Sequence, residues 1–297
     1  MSLVSLVKTE ENTIDSIKKG IIESLKLIDH NFKPSENVVI KPNLCYYWDY
    51  STGYTTDPRF VSALIDVIRE QISPSVKISI VESDASAMRS TYAFRMLGYE
   101  KLKKEKSVEL VNLSTDKSEE VEVAVNGQYL KLNLPEKIKS ADLLINVPKI
   151  KYMTQTTISC ALKNIFGCNP QSSKYKYHPM LNEVIVALNK LMKFDLHILD
   201  GIIVAGNPTC RLNLVMASRD PVAFDAACAR ILSINPKKVK HVVLANREGL
   251  GTPNFIPVGE SLESFSKHYP KTKTTTKVLL LGYKLALKTG LLNPDLL

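Results

Sequence analysis

"NVVIKPNL", residues 37–44, runs apolar and β-branched through Val38, Val39 and Ile40, then stops at Lys41-Pro42-Asn43. An unbroken apolar run, rather than apolar–polar alternation, predicts a strand covered on both faces, as in a parallel sheet. Proline has no N–H for the ladder, so the strand ends there and the chain turns. "ADLLINVPKIK" (141–151) repeats the pattern: an apolar run, a proline, then Lys149 and Lys151. "KISIVESDAS" (77–86) is a third buried strand, breaking into Glu82, Ser83 and Asp84.

Helical periodicity fills the intervals. Residues 12–30 place Ile14, Ile17, Ile21, Leu25 and Ile28 on one face, with Asn12 or Thr13 as cap. Residues 56–72 start with Thr56 or Asp57 as cap and Pro58 in the first turn, and carry a stripe through Phe60, Leu64, Ile65 and Ile68. A short strand is expected at 107–113. Asn126-Gly127 between two alternating runs predicts a β-hairpin over about 119–134. "TTISCALKNIFG" reads as a helix closed by Gly167, putting Cys160, Lys163, Asn164, Gly167 and Cys168 on a shared face. An amphipathic helix (181–194), strands at 195–204 and 211–221, and a helix opened by Pro221 follow. The expectation is an α/β fold: a mostly parallel sheet with helices on both faces, plus the hairpin, in a single domain spanning 1–297. An apolar stretch at 277–292, with Lys284 and Lys288 on its polar side, reads as a C-terminal docking helix for this domain, a second copy or a protein partner.

A formal net charge of +9 points to an anionic partner: a phosphorylated metabolite, a nucleic acid or a membrane surface. Five cysteines without a C-x-x-C pair argue against a disulfide framework and an ordinary zinc site. The start, "MSLVSLVKTEENT", lacks the basic and long apolar segments of a secretory leader, and no apolar run reaches the ~18 residues that span a bilayer. A cytoplasmic protein is expected.

In parallel sheets ligands bind beyond the carboxyl ends of the strands. The strand ends supply Lys41 and Asn43, Glu82, Ser83 and Asp84, Lys149 and Lys151, Asp200, and Ser218, Arg219 and Asp220. Thr55, Thr56 and Asp57 precede a helix, where free N–H groups favour an anion, and Lys163, Asn164 and His178 follow Lys151. The reading assigns Lys41, Lys149, Lys151 and Lys163 to binding a small phosphate- or carboxylate-bearing ligand, with Asn43, Thr56 and Asn164 orienting it. Asp84, His178 and Asp200 are the candidate acid/base groups or ligands of a divalent cation. An iron–sulfur or redox-associated protein is the alternative, its ligands Cys45, Cys160, Cys168 and Cys210, although the cysteine spacing argues against a cluster. A nucleic-acid surface around "QSSKYKYHP" is the weaker alternative.

The segment "INVPKIKYMTQTTISCALKNIFGCNP…YHP" resembles a widespread prokaryotic family, the domain of unknown function three-six-two. The resemblance rests on Lys41-Pro42-Asn43, Thr55 to Pro58, Pro148-Lys149-Ile150-Lys151, Ala161 to Gly167, His178, Asp200-Gly201 and Ala217 to Ala226, in order, across about residues 36–251. It implies an α/β domain and points to the positions already placed on the crest, with Asp225 added. Relatives that look like iron–sulfur proteins append a ferredoxin-like cysteine run; here there is no C-x-x-C-x-x-C segment. Ala205-Gly206-Asn207-Pro208 replaces the glycine-rich turn of many relatives.

Overall fold

The computed structural model describes residues 1–270. The first half of the chain forms β1 (Ser2–Lys8), α1 (Ile14–Leu27), β2 (Asn37–Pro42), α2 (Pro58–Gln71), β3 (Lys77–Glu82), α3 (Ser90–Met96), α4 (Tyr99–Lys106) and β4 (Glu109–Asn112). Next come β5 (Ser118–Val125), β6 (Gln128–Pro135), α5 (Glu136–Lys139), β7 (Leu143–Val147), β8 (Lys151–Met153), β9 (Thr157–Ser159) and α6 (Ala161–Asn164). The last third holds α7 (Leu181–Leu191), β10 (Leu196–Val204), β11 (Cys210–Ser218), α8 (Pro221–Ile231), α9 (Lys240–Arg247), β12 (Phe255–Gly259) and α10 (Leu262–His268). The expected C-terminal helix at 277–292 lies outside the described residues.

Eight strands form one sheet in the order β12-β1-β11-β10-β7-β2-β3-β4. The run β10-β7-β2-β3-β4 is parallel throughout. Strand β11 alone opposes its neighbours, pairing antiparallel with both β1 and β10. Alternate side chains serve opposite layers. Val38, Ile40, Leu143 and Ile145 pack with Ile21 and Leu25 of α1 and Phe60 and Leu64 of α2. Val39 and Leu144 pack with Val184 and Leu188 of α7 and Phe224 of α8. Burial on both faces is why these strands read as continuous apolar runs.

The hairpin is present as expected. Asn126 (φ +50°) and Gly127 (φ +75°) take the positive angles that a two-residue turn between twisted strands requires. Strands β1 and β12 escape a reading by apolar runs. Residues 2–8 become a strand because β12 and β11 flank them.

Two expectations are corrected. "TTISCALKNIFG" is not one helix: β9 occupies 157–159, Cys160 is non-helical (φ −152°, ψ −136°), α6 spans four residues, and a 3-10 turn covers Ile165–Cys168. The five residues from Cys160 to Cys168 therefore share no continuous helical face. The carboxyl end of β11 is also at the wrong edge for the crest, because the strand is antiparallel and Ser218 pairs with His197 near the start of β10. Asp220 instead caps α8 through Val222 N and Ala223 N, and binds Ser2 and Thr252.

Candidate functional site

From β2 the chain moves outward to β3 and β4, then returns to place β7 on the other side of β2. That reversal is the topological switch point, where α/β sheets leave a crevice at their carboxyl ends. Lys41-Pro42-Asn43 and Pro148-Lys149-Ile150-Lys151 emerge on either side of it. Asp200 joins them from within β10. That strand pairs with β7 only at Leu196 and His197, so Asp200 lies beyond the end of β7, its N–H on the Pro148 carbonyl at 3.2 Å.

Five lysines gather here, of two kinds. Lys41 and Lys149 are buried and neutralised: Lys41 Nζ lies 2.8 Å from Glu82 and Lys149 Nζ 3.1 Å from Asp200. Each ammonium also donates to a carbonyl, Pro42 O for Lys41 and Ile203 O for Lys149. Gly167 covers the first pair, and a Cβ on it would lie 2.9 Å from Glu82 Oε1 and from Lys41 Cε and Nζ. The other three, Lys151, Lys163 and Lys174, have no carboxylate within 4 Å among the described residues.

Lys151, buried, donates to Asn43 Oδ1 at 2.8 Å and Tyr54 O at 3.0 Å, with the Cys45 thiol also within hydrogen-bond reach. Burial, and behind it the Lys149 charge, lowers its pKa. Lys174, also buried, donates to Ser83 Oγ at 2.6 Å. Lys163 is half-buried over the Phe166 ring. Burial and neighbouring ammonium groups push Lys163 and Lys174 each down to about 8. Lys174 was missed by sequence reasoning: within "SSKYKYHP" it carries no local mark separating it from a solvated lysine.

The other predicted residues have distinct surroundings. Thr56 Oγ1 donates to Val147 O and accepts from Asn43 N, fastening the start of α2 to the ends of β2 and β7. Asn164 spends its amide hydrogens on Lys41 O and Asn146 Oδ1. Asp200 accepts from the N–H groups of Asp57 and Ile202 besides its ion pair. Asp84 lies aside, bound to Ser90, Arg89 and Asn112. Burial works against its charge, but those donors outweigh it and hold its pKa below the usual carboxylate range. His178 is exposed on the turn Lys174–Met180; local desolvation and the Lys163 charge keep its ring below the ordinary histidine value. Asp225 reaches across from α8 to accept from Ala161 N at 2.7 Å and Leu162 N at 3.3 Å, holding the turn that carries Lys163.

The four cysteines named as cluster ligands do not meet. Cys160 faces Cys228, Cys168 is buried near Lys41 and Glu82, Cys210 contacts the Arg211 and His268 carbonyls, and Cys45 sits by Lys151. Among the described residues no three histidine, cysteine, aspartate or glutamate side chains gather closely enough to hold a metal ion.

The low pKa values of Lys163 and Lys174 predict a pH effect on stability. Both lie below the ordinary lysine value of about 10.4, so between pH 8 and that value the unfolded chain binds more protons. The penalty of burying two charges is full below pH 8 and relieved above it, so unfolding free energy is expected to rise through that window. Urea unfolding at stepped pH measures this. The rise should flatten in a Lys163→Met, Lys174→Met double variant, and an identical slope in both proteins would refute it.

The chain is 26% identical over 264 residues to the thylakoid-associated protein sll1697 of Synechocystis sp. (strain ATCC 27184 / PCC 6803 / Kazusa), covering 83% of this chain and 79% of that protein. Among the described residues no helix is long and apolar enough to cross a membrane. The lactate racemase apoprotein from Thermoanaerobacterium thermosaccharolyticum is similar over 79% of this chain, with a TM-score of 0.48 and 14% identity; the match spans 58% of the racemase chain. The family described as Domain of unknown function (DUF362) matches residues 38–230, which include all ten residues assigned to the site from sequence, and the chain belongs to that family.

Proposed function

We propose that the crest binds a small phosphate- or carboxylate-bearing metabolite, and that the protein is an enzyme or enzyme-like binder acting on it. The observation that carries this reading is the charge imbalance: Lys163 lies near both Lys151 and Lys174, none of the three has a carboxylate within 4 Å among the described residues, and Lys41 and Lys149 have one each. Like charges held in a poorly solvated crevice repel strongly, and an incoming anion relieves that repulsion. Lys163, half-buried where the others are buried, is the first contact. Lys151 and Lys174 complete the cradle, with Asn43 steering Lys151. Lys41 and Lys149, with Glu82 and Asp200, form its rigid floor, and Thr56 and Asn164 hold that floor in register. His178, uncharged at neutral pH and beside Lys163, is the group best placed to exchange a proton with a bound ligand. Asp200 and Asp84 act by orienting Lys149 and Arg89.

Calorimetric titration with inorganic phosphate, pyrophosphate and a dicarboxylate at pH 7 tests the reading. Lys163→Ala is expected to weaken binding about 10-fold or more, the scale of one charge-assisted hydrogen bond. Affinity should also fall as pH rises past 8, when Lys163 and Lys174 lose their protons. Binding that is indifferent to both would dismiss the cradle.

A further inference from the structure

Between the end of β2 and the start of α2 lies "YYWDYSTGY", residues 46–54, which the lysine cradle leaves unexplained. The loop is tightly built. Asp49 caps a 3-10 turn at Tyr50–Thr52, and Cys45 N donates to Thr55 Oγ1. Gly53 (φ +73°) presses so close to β10 that a Cβ there would lie 2.3 Å from Ala205 N and from Val204 C. Yet this anchored loop leaves aromatic rings in water: Tyr46 and Trp48 are each 47% exposed. Tyr46 also holds a left-handed φ of +52°, an unfavourable angle for an aromatic residue.

The rings form a chain that leads into the cradle. Tyr46 lies 5.4 Å from Trp48, and Trp48 lies 5.0 Å from Tyr54, centroid to centroid. Tyr54 in turn sits 5.5 Å from Lys151 Nζ, while its carbonyl accepts from the same ammonium. One ring therefore separates Trp48 from a lysine that has no carboxylate within 4 Å among the described residues. An exposed indole face beside clustered cations is complementary to a ligand that is planar at one end and anionic at the other. A polymer backbone fits less well, because Lys151 and Lys174 are buried and Lys163 alone is half-open.

We infer that the ligand is a nucleoside phosphate, its phosphate held by Lys151, Lys163 and Lys174 and its base stacked on Trp48. This rests on the anion-binding reading above and adds the identity of the other half of the ligand. Trp48 is the chain's single tryptophan, so its fluorescence reports on this site alone. The experiment titrates the full chain with ADP, with pyrophosphate, and with vesicles containing anionic lipid, following Trp48 emission; calorimetry repeats the first two on Trp48→Ala and Trp48→Phe.

ADP is expected to quench Trp48 and to bind about 10-fold more tightly than pyrophosphate, the scale of one base–aromatic stack. Trp48→Ala should erase that advantage while leaving pyrophosphate affinity unchanged, and Trp48→Phe should keep part of it. If pyrophosphate and ADP bind equally, the stacking inference fails and the anion cradle stands. If neither binds, both fail. A Trp48 response to vesicles but not to ADP makes the loop a membrane contact and overturns the inference.

Discussion

Glu82→Ala is expected to lower unfolding free energy by about 3–5 kcal/mol, the cost of leaving a buried ammonium without its carboxylate. Lys41 and Glu82 have side chains only 1% and 3% exposed and meet at 2.8 Å. Lys41 has no second carboxylate within 4 Å among the described residues. Lys41 has one further acceptor, Pro42 O at 2.7 Å, and Glu82 Oε1 already takes the Ser83 N–H at 2.9 Å. Gly167 closes the top of the pair, and the Gly167 carbonyl is tied to the Ser83 hydroxyl. The damage should therefore spread to Lys174, whose ammonium rests on that same hydroxyl. Urea unfolding measures the loss. Removing both charges, as Lys41→Met with Glu82→Leu, should recover much of it, because the penalty belongs to the orphaned charge and not to the missing attraction. A single-variant loss under about 1 kcal/mol would show that the pair is solvated or replaceable.

Asp225→Ala is expected to cost about 2–4 kcal/mol and to weaken anion binding from a distance. Asp225 is fully buried and accepts from two backbone N–H groups at the start of α6, Ala161 and Leu162. Each buried donor left without a partner costs about 1–3 kcal/mol. Among the described residues no other side chain accepts from either N–H, and His241 Nε2, 3.5 Å from the Asp225 carboxylate, has no hydrogen bond of its own. With its first turn released, α6 no longer holds Lys163 over Phe166, so affinity for the proposed anion should drop even though Asp225 hydrogen-bonds to none of Lys151, Lys163 and Lys174. Asp225→Asn keeps one acceptor and should show roughly half the stability loss. Calorimetry and urea unfolding on the same preparations check the pair of effects. Wild-type stability with wild-type affinity in Asp225→Ala would remove Asp225 from this supporting role.

Much of the frame is legible in the order of the amino acids. Strands β2, β3 and β7 announced themselves because burial on both faces demands unbroken apolar runs, and Pro42 and Pro148 mark the ends of β2 and β7. Helix α2 was readable from Asp57, which caps Arg59 N, and from Pro58 in the first turn. The Asn126-Gly127 turn was readable because few residues tolerate two successive positive φ angles. Strands β1 and β12 were less visible: they exist because neighbours pair with them, not because of a strong local pattern. The α6 segment misled for a related reason. Its helical spacing is real on paper, but the start is held by Asp225, 64 residues away, and not by a local cap.

The chain's order of residues determined which groups lie at strand ends: Lys41, Asn43, Lys149 and Lys151 follow the apolar runs of β2 and β7, a property set within a few positions of each. Tertiary structure alone decided what those groups are. Strand order puts Glu82 against Lys41 and Asp200 against Lys149, neutralising two lysines, and leaves Lys151, Lys163 and Lys174 with no carboxylate within 4 Å among the described residues. It also turned Ser218 and Asp220 away to the opposite edge, because β11 runs antiparallel. The division follows from range. Backbone stops and apolar periodicity act over one or two helical turns, whereas pairing a buried charge depends on which strand lies alongside, and that is settled only when the sheet assembles.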